Sequence, residues 1–157
     1  MKRVWYYTFP RVRLGIIEGD GYITDIFFNN GARGNLPQPE ETPLITRAAE
    51  QLNEYFAGIR TVFEFPVMPA GTAFQKKVWD AVSAIPYGET RTYKEIAEQA
   101  GNSLAARAVG MANNRNPAVI VIPCHRVIGH NGALTGYGGG LDVKEYLLDL
   151  EKRNKGI

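Results

Sequence analysis

Cysteine is the scarcest reactive residue in this chain of 157 residues, which contains only one, Cys124. A single cysteine cannot form an internal disulfide, which fits a protein kept in a reducing compartment. It also excludes the usual structural zinc sites, which need two or more cysteines. We therefore expect no metal, and the single thiol needs another explanation.

Long hydrophobic runs are also missing from the sequence. No stretch approaches the roughly 18 uncharged apolar residues that a transmembrane helix needs. The N-terminal residues "MKRVWYYTFPRVRLG" are basic, but they contain neither the apolar core nor the small-residue cleavage site of a signal peptide. We expect a protein without membrane contact, located in the cytoplasm, or in the nucleus if it is eukaryotic.

The net charge of +2 is too small to indicate a nucleic-acid partner by itself. Residues 1–66 carry seven basic and eight acidic side chains, whereas residues 67–157 carry eleven and eight. The excess lies between residues 91 and 126, with five basic and two acidic side chains. A basic segment that ends beside the thiol favours a phosphate-rich partner, although an ordinary solvated surface explains it equally well.

The sequence predicts an α+β fold with two regions. Residues 1–66 predict a small antiparallel sheet of three strands, then a polar loop over 29–42 and a helix that Thr42 caps. Residues 67–157 predict a mostly helical C-terminal domain, packed on the first region, whose last helix begins near Asp142. Within it, two short amphipathic helices joined by "GNS" are typical of a helix-turn-helix, with Ser103 as the N-cap of the second.

The second of these short helices has a bare outer face. Its predicted core stripe is Ala105, Ala108, Val109 and Ala112, and the opposite face carries Ser103, Arg107, Gly110 and Asn114. A helix that reads the major groove usually displays long polar side chains. The bare face instead favours close approach to the minor groove, with Arg107 inserted into or beside the base stack. Tight helix packing with Arg107 merely exposed is the alternative.

The sequence leaves three roles open for Cys124: a buried structural residue, a protease-like Cys–His pair, or a thiolate that attacks carbon of a bound substrate. In an extended run, His125 points away from the Cys124 sulfur, so a water would have to bridge them. Glu151, at the edge of the apolar stripe of the last helix, is a candidate partner that orients the histidine. The alternative is a solvated glutamate at a helix end.

Several motifs together resemble the O6-alkylguanine-DNA alkyltransferases. The segment "IPCHRVIG" is similar to the active-site signature of this family, and "YGETRTYKEIA", "AARAVGMANNRNP" and "GYGGGLDVKEYLLDLE" extend the similarity. The resemblance is dense from about residue 71 to 151 and weak before it. It implies a DNA-repair protein that transfers an alkyl group irreversibly from O6 of a flipped-out guanine to Cys124, without a cofactor. O4-alkylthymine is a second candidate substrate.

The resemblance also implies roles for individual residues. His125 would deprotonate Cys124 through a water, Glu151 would orient His125, and Tyr93 would rotate the target phosphate and assist proton transfer. Arg107 would replace the flipped base, and Asn116 would be the hinge after the second helix. The remaining implied DNA contacts are Tyr93, Ser103, Ala106, Gly110, Asn114 and Arg126, and the implied guanine pocket comprises Val119, Val127, Tyr137, Gly138 and Gly139.

The sequence departs from the family pattern at two positions of the implied pocket. Val119 stands where several members have proline, and Gly138 stands where some have serine. The implied partner is double-stranded DNA that carries alkylated bases, bound through its minor groove by a monomer. One alternative is a non-catalytic relative that only binds alkylated guanine, but such proteins have another residue, typically tryptophan, in place of Cys124. Another alternative, a sequence-specific transcriptional regulator, fits the bare outer face of the second helix poorly.

Overall fold

Three antiparallel strands form the N-terminal sheet, as the sequence predicts. The strands are β1 (Arg3–Phe9), β2 (Val12–Gly19) and β3 (Tyr22–Phe28), and β2 lies between the other two. Asp20 and Gly21 connect β2 to β3 with φ values of 54° and 84°. Positive φ at both central residues is what a two-residue hairpin turn of type I′ requires.

A short fourth strand makes the sheet mixed, not purely antiparallel. Strand β4 (Gln38–Pro39) pairs in parallel with β1, which gives the order β3-β2-β1-β4. The computed structural model describes residues 1–31 and 33–155. The predicted loop over 29–42 therefore includes one residue, 32, outside the described part, and its remaining residues contain β4. The sequence prediction missed β4 because two residues beside a proline carry no alternating pattern.

Helix α1 (Pro43–Phe56) begins where the sequence predicts. The Thr42 hydroxyl accepts a hydrogen bond from the backbone N–H of Ile45 at 3.2 Å, and Pro43 occupies the first turn. Gly58, with a φ of 78°, follows the end of the helix. The buried face of α1 carries Tyr55 among its aliphatic residues, and this tyrosine is completely inaccessible to solvent.

Four further helices build the C-terminal part of the fold. They are α2 (Ala73–Ser83), α3 (Tyr93–Gln99), α4 (Ala106–Asn114) and α5 (Leu141–Asn154). Helices α3 and α4 are the predicted helix-turn-helix pair, and α5 begins one residue before the predicted start. Within residues 1–31 and 33–155, no helix has both the length and the apolar character needed to cross a bilayer.

Two predictions about α4 are wrong. Ser103 does not cap it, because the helix begins only at Ala106, and its N-cap residue, Ala105, makes no side-chain hydrogen bond. A turn held by Asn102, whose side chain accepts from the N–H of Leu104 at 3.0 Å, occupies the preceding residues. Ala108, expected in the core stripe, is exposed, because the buried face of α4 is formed by Val109, Ala112 and Asn113 and Ala108 lies at its edge.

The N-terminal sheet is joined directly to the chain that precedes Cys124. The N–H of Ile26 in β3 donates to the carbonyl of Pro117 at 2.8 Å, and the N–H of Val119 donates back to Ile26 at 3.1 Å. One hydrophobic cluster includes β2, α1, α2 and α5. The division into regions 1–66 and 67–157 stays a prediction, and its last two residues lie outside the described part of the chain.

Candidate active site

The backbone around Cys124 bends sharply and is not the extended run that the sequence predicts. Ile120 has a φ of 72°, and the N–H of Val121 donates to the carbonyl of Val119 at 2.8 Å, which defines a γ-turn. A positive φ at a β-branched residue costs of order 1–3 kcal/mol. A second tight turn at Pro123 then leads into a 3₁₀ turn over Cys124–Arg126.

Two asparagines tie these turns to the end of α4. Asn116 donates from its side-chain amide to the carbonyl of Ile122 at 2.7 Å and accepts from the N–H of Ala118 at 2.9 Å. Asn113, which the sequence analysis did not select, is buried and donates to the carbonyl of Cys124 itself at 3.2 Å. Because all three contacts are to backbone atoms, α4 is held in a fixed position relative to the turn over Cys124–Arg126, the thiol turn.

The Cys124 thiol is buried, with 4% of the residue exposed. Burial raises the pKa of the thiol above its usual value, and this effect outweighs the opposing influence of the nearby Asn116 and Tyr137 side chains and of the positive charge of Lys144. The resting sulfur is therefore protonated at neutral pH. A nucleophilic role requires a base that removes this proton.

His125 and Glu151 form the predicted pair, completely removed from solvent. The Nε2 atom of His125 lies 2.6 Å from Oε2 of Glu151. Burial lowers the pKa of His125 although Glu151 opposes this effect, so the imidazole is neutral near pH 7. Since an ionised carboxylate only accepts, Nε2 carries the proton and Nδ1 is left unprotonated as the base.

The route from this base to the sulfur stays a prediction. The hydrogen bonds of the described residues do not include one between the His125 ring and the Cys124 sulfur. Buried Nδ1 has no partner among these residues. A bridging water, as predicted from the sequence, is compatible with this arrangement.

Arg126 is not available to DNA, which corrects its assignment as a DNA contact. It is buried, and its Nε and Nη2 atoms donate to the two oxygens of Glu151 at 2.7 and 3.0 Å. Its Nη1 atom donates to the carbonyl of Ile85 at 2.7 Å. Burial alone would raise the pKa of Glu151, but His125 and Arg126 hold it far below its usual range. The glutamate therefore stays ionised.

Lys144 is a second buried cation that the sequence analysis missed. Its Nζ atom donates to the carbonyl of Val127 at 2.7 Å and to that of Thr135 at 3.3 Å. Burial lowers the pKa of Lys144, and interaction with Cys124 partly opposes this. Its position, three residues before buried Leu147 and seven before Glu151, was the sequence signal, because these spacings place all three on one helix face.

The loop that contains the predicted pocket residues Tyr137, Gly138 and Gly139 packs against the N-terminal sheet. Tyr137 lies beside Cys124, and its ring packs edge-on against Phe28 of β3 with centroids 5.4 Å apart. A Cβ atom at Gly139 would come within 2.9 Å of the same Phe28 ring, so a larger residue here would have to displace that ring. Asn30 donates to the carbonyl of Gly138 at 3.0 Å. The N-terminal region therefore supports the loop beside the thiol.

The outer surface of the helix pair carries the remaining predicted residues. Arg107 and Asn114 of α4 are exposed, as is Ser103 in the preceding turn, while Ala106 and Gly110 are partly exposed. Gly110 faces the ring of Tyr93 at the start of α3, and the Tyr93 hydroxyl lies 2.8 Å from the Thr135 hydroxyl. Tyr93 thus lies between this surface and the loop that leads to Tyr137.

Metal binding has no support in the part of the chain that the structure describes. No three His, Cys, Asp or Glu side chains there are grouped closely enough to hold an ion.

The chemistry that this site offers is that of a buried thiol beside a neutral imidazole with a fixed carboxylate partner. This arrangement suits nucleophilic attack by sulfur.

Comparisons with known proteins agree with this geometry. Residues 73–153 match the family model described as "6-O-methylguanine DNA methyltransferase, DNA binding domain". A "Methylated-DNA--protein-cysteine methyltransferase" from Methanosarcina acetivorans is 59% identical, with 90% of this chain and 91% of that protein covered. The constitutive protein of the same name from Bacillus subtilis is 45% identical over 94% of this chain and 95% of its own.

A solved structure extends the similarity to the fold. The crystal structure titled "Mycobacterium tuberculosis OGT in complex with DNA" is 45% identical in sequence and has a TM-score of 0.88. The alignment covers 98% of this chain and 93% of that one. The similarity therefore includes the N-terminal sheet, where the sequence motifs are weak.

Proposed function

This chain belongs to the 6-O-methylguanine DNA methyltransferase family, and from that premise we propose that Cys124 takes the alkyl group from O6 of guanine in DNA and retains it permanently. The protein is a DNA-repair methyltransferase and DNA is its partner. The observation that supports Cys124 as acceptor is the arrangement of a buried thiol next to the His125–Glu151 pair. The presence of Cys124 also disfavours the alternative of a non-catalytic relative that only binds alkylated guanine, because such proteins have another residue at this position.

The proposed reaction is a single displacement at carbon. Nδ1 of His125 takes the thiol proton through a bridging water, and Glu151 stabilises the imidazolium that forms. The thiolate sulfur attacks the alkyl carbon, a sulfur–carbon bond forms, and the carbon–O6 bond breaks. The electron pair of the broken bond passes to guanine, which takes up a proton as it leaves. We propose that Tyr93 assists that proton transfer, and the 2.8 Å contact of its hydroxyl with the Thr135 hydroxyl supports a fixed position for it.

We further propose that a monomer of this protein binds the minor groove of a duplex that carries an alkylated base. The small residues of the α4 surface, Ala106 and Gly110, support close approach to the groove. A base inside the duplex has to be flipped out before the sulfur can reach it, which costs a few kcal/mol. The need for a free thiol supports a reducing compartment, the cytoplasm or the nucleus, as the place of action.

The test is measurement of the intact mass of the protein after incubation with a duplex oligonucleotide that contains one O6-methylguanine. We expect the mass of every chain to rise by one methyl group and the product to saturate at one transfer per chain. Peptide mapping should locate the methyl group on Cys124. Repeated turnover by a single chain, or a methyl group on another residue, would contradict the proposal.

Substitution of Arg107 tests whether the exposed surface of α4 acts in DNA repair. We expect Arg107→Ala to slow repair of duplex DNA at least about tenfold, because a side chain that fills the gap in the base stack offsets part of the flipping cost. Reaction with free O6-benzylguanine should be unchanged, since this substrate requires no flipping. Both rates can be followed by mass spectrometry.

Arg115→Ala is the matched control for Arg107, because it removes another exposed arginine close to the end of the same helix. Its effect on duplex repair should be clearly smaller than that of Arg107→Ala. Equal losses on both substrates for Arg107→Ala would instead show that Arg107 supports the fold or the pocket.

A further inference from the structure

Tyr55 connects the N-terminal region to the catalytic pair, and we propose that it is a positioning residue for Glu151 in alkyl transfer. This inference rests on the proposed function. It assigns a role in the reaction to α1, a helix outside the region matched by the family model, which begins at residue 73.

The contact between Tyr55 and Glu151 is short and buried. The Tyr55 hydroxyl donates to Oε2 of Glu151 at 2.6 Å, and both residues are almost completely inaccessible. His125 donates to the same oxygen at 2.6 Å. The ring of Tyr55 is held by aromatic neighbours, which are Phe56, Phe63 and Tyr87. The hydroxyl is therefore fixed on the atom that orients the base.

Two further residues besides Tyr55 and His125 donate to Glu151. Arg126 contacts both carboxylate oxygens, and the N–H of Gly88 donates to Oε1 at 3.2 Å. Among the residues that the structure describes, Tyr55 is the donor from the N-terminal region. A buried carboxylate keeps its charge and its orientation only while its oxygens are satisfied. Tyr55 completes this set at the oxygen that faces His125.

The hydroxyl also affects the basicity of His125. Burial and the charge of Glu151 raise the pKa of Tyr55 well above its usual value, so it remains a donor throughout the neutral range. By donating to Oε2 it withdraws negative charge that would otherwise stabilise a His125 imidazolium. Without the hydroxyl, His125 should therefore become protonated at a higher pH. The other titratable or charged groups around this assembly are Cys124, Arg126, Lys144, Tyr87 and Tyr137.

The first test compares the pH dependence of alkyl transfer in Tyr55→Phe and in the native chain, with free O6-benzylguanine as substrate. We expect the plateau rate to fall several-fold, because Glu151 loses one of its fixed donors. The acidic limb of the profile, which reports protonation of His125, should move to higher pH by about half a unit or more.

Tyr87→Phe is the matched control. Tyr87 is a neighbouring tyrosine whose ring centroid lies 6.2 Å from that of Tyr55, but its buried hydroxyl has no hydrogen-bond partner in the described part of the chain. Removing this hydroxyl should leave both the rate and the acidic limb unchanged.

The second test observes His125 directly by NMR of protein labelled with ¹⁵N-histidine. The chain has two histidines, and exposed His130 serves as an internal reference. Tyr55→Phe should shift the titration of the His125 ring nitrogens to higher pH and leave His130 unaffected. Introducing 3-fluorotyrosine at position 55 keeps the shape but makes the hydroxyl more acidic, so the His125 titration should move to lower pH. This second variant serves if Tyr55→Phe does not fold.

The outcomes separate this inference from the proposed function. A slower Tyr55→Phe protein with an unchanged acidic limb and an unchanged His125 titration would show that Tyr55 is only structural, which overturns the inference. An equal shift in Tyr87→Phe would overturn it as well. A native chain that accepts no alkyl group at all would instead refute the proposed function.

Discussion

Cys124→Ser is expected to abolish methyl transfer. The variant incubated with the O6-methylguanine duplex should show no increase in intact mass, even after the native chain has reacted completely. The physical reason is that a serine hydroxyl is far less acidic than a thiol, so the His125 base cannot produce a useful concentration of its anion. This is the largest effect we expect from any single substitution.

DNA binding provides the control for Cys124→Ser. Cys124 is buried, whereas Arg107 and Asn114 of α4 are exposed, so the variant should bind the methylated duplex and melt close to the native temperature. Binding without transfer would confirm that the defect lies in the chemical step. Transfer at the native rate would contradict the role assigned to Cys124.

Arg126→Met is expected to be the most destabilising of the proposed variants. Arg126 is buried and bonded to both oxygens of Glu151. Removing one partner of a buried ion pair leaves an uncompensated charge, which costs about 3–5 kcal/mol. In a domain of this size the melting temperature should fall by about 10 °C. Thermal unfolding followed by circular dichroism measures this directly.

Arg91→Met is the matched control for Arg126→Met, because the same substitution then breaks a partly exposed ion pair. Arg91 lies 3.2 Å from Glu89, and each side chain keeps roughly a third of its surface in solvent. Such pairs contribute about 0–1 kcal/mol. If Arg126→Met lost as little stability as is expected for Arg91→Met, the buried ion pair would not have the stabilising role assigned to it.

Local signals predicted most of the fold. Thr42 was identified as a helix N-cap from its position before an apolar repeat, and its hydroxyl accepts the expected backbone hydrogen bond. The strands and helices appear close to their predicted ends because periodicity and capping act within a few residues. The predicted cap at Ser103 was wrong because the Asn102 side chain competes for the same turn and delays α4.

The pairing of His125 with Glu151 was predicted by triad logic and by the family resemblance, and the structure places the two in contact. Arg126 shows the limit of that reasoning. In a basic segment, an arginine within the active-site motif suggests a phosphate contact, but this one points inwards to Glu151. The net charge of a sequence segment does not show whether a given arginine is exposed to solvent or neutralises a buried carboxylate.

The sequence by itself determined the helix-turn-helix, the family and the candidate pair of Cys124 and His125, because each depends on residue type and short spacing. Only the tertiary structure decided what surrounds Glu151, since its donors come from α1, from the loop after α2 and from the thiol turn. Tyr55 and Glu151 are 96 positions apart in the chain. Helical periodicity indicates that the faces of α1 and α5 that carry these two residues are buried. Which residues of the two faces come into contact depends on how the helices pack against the sheet.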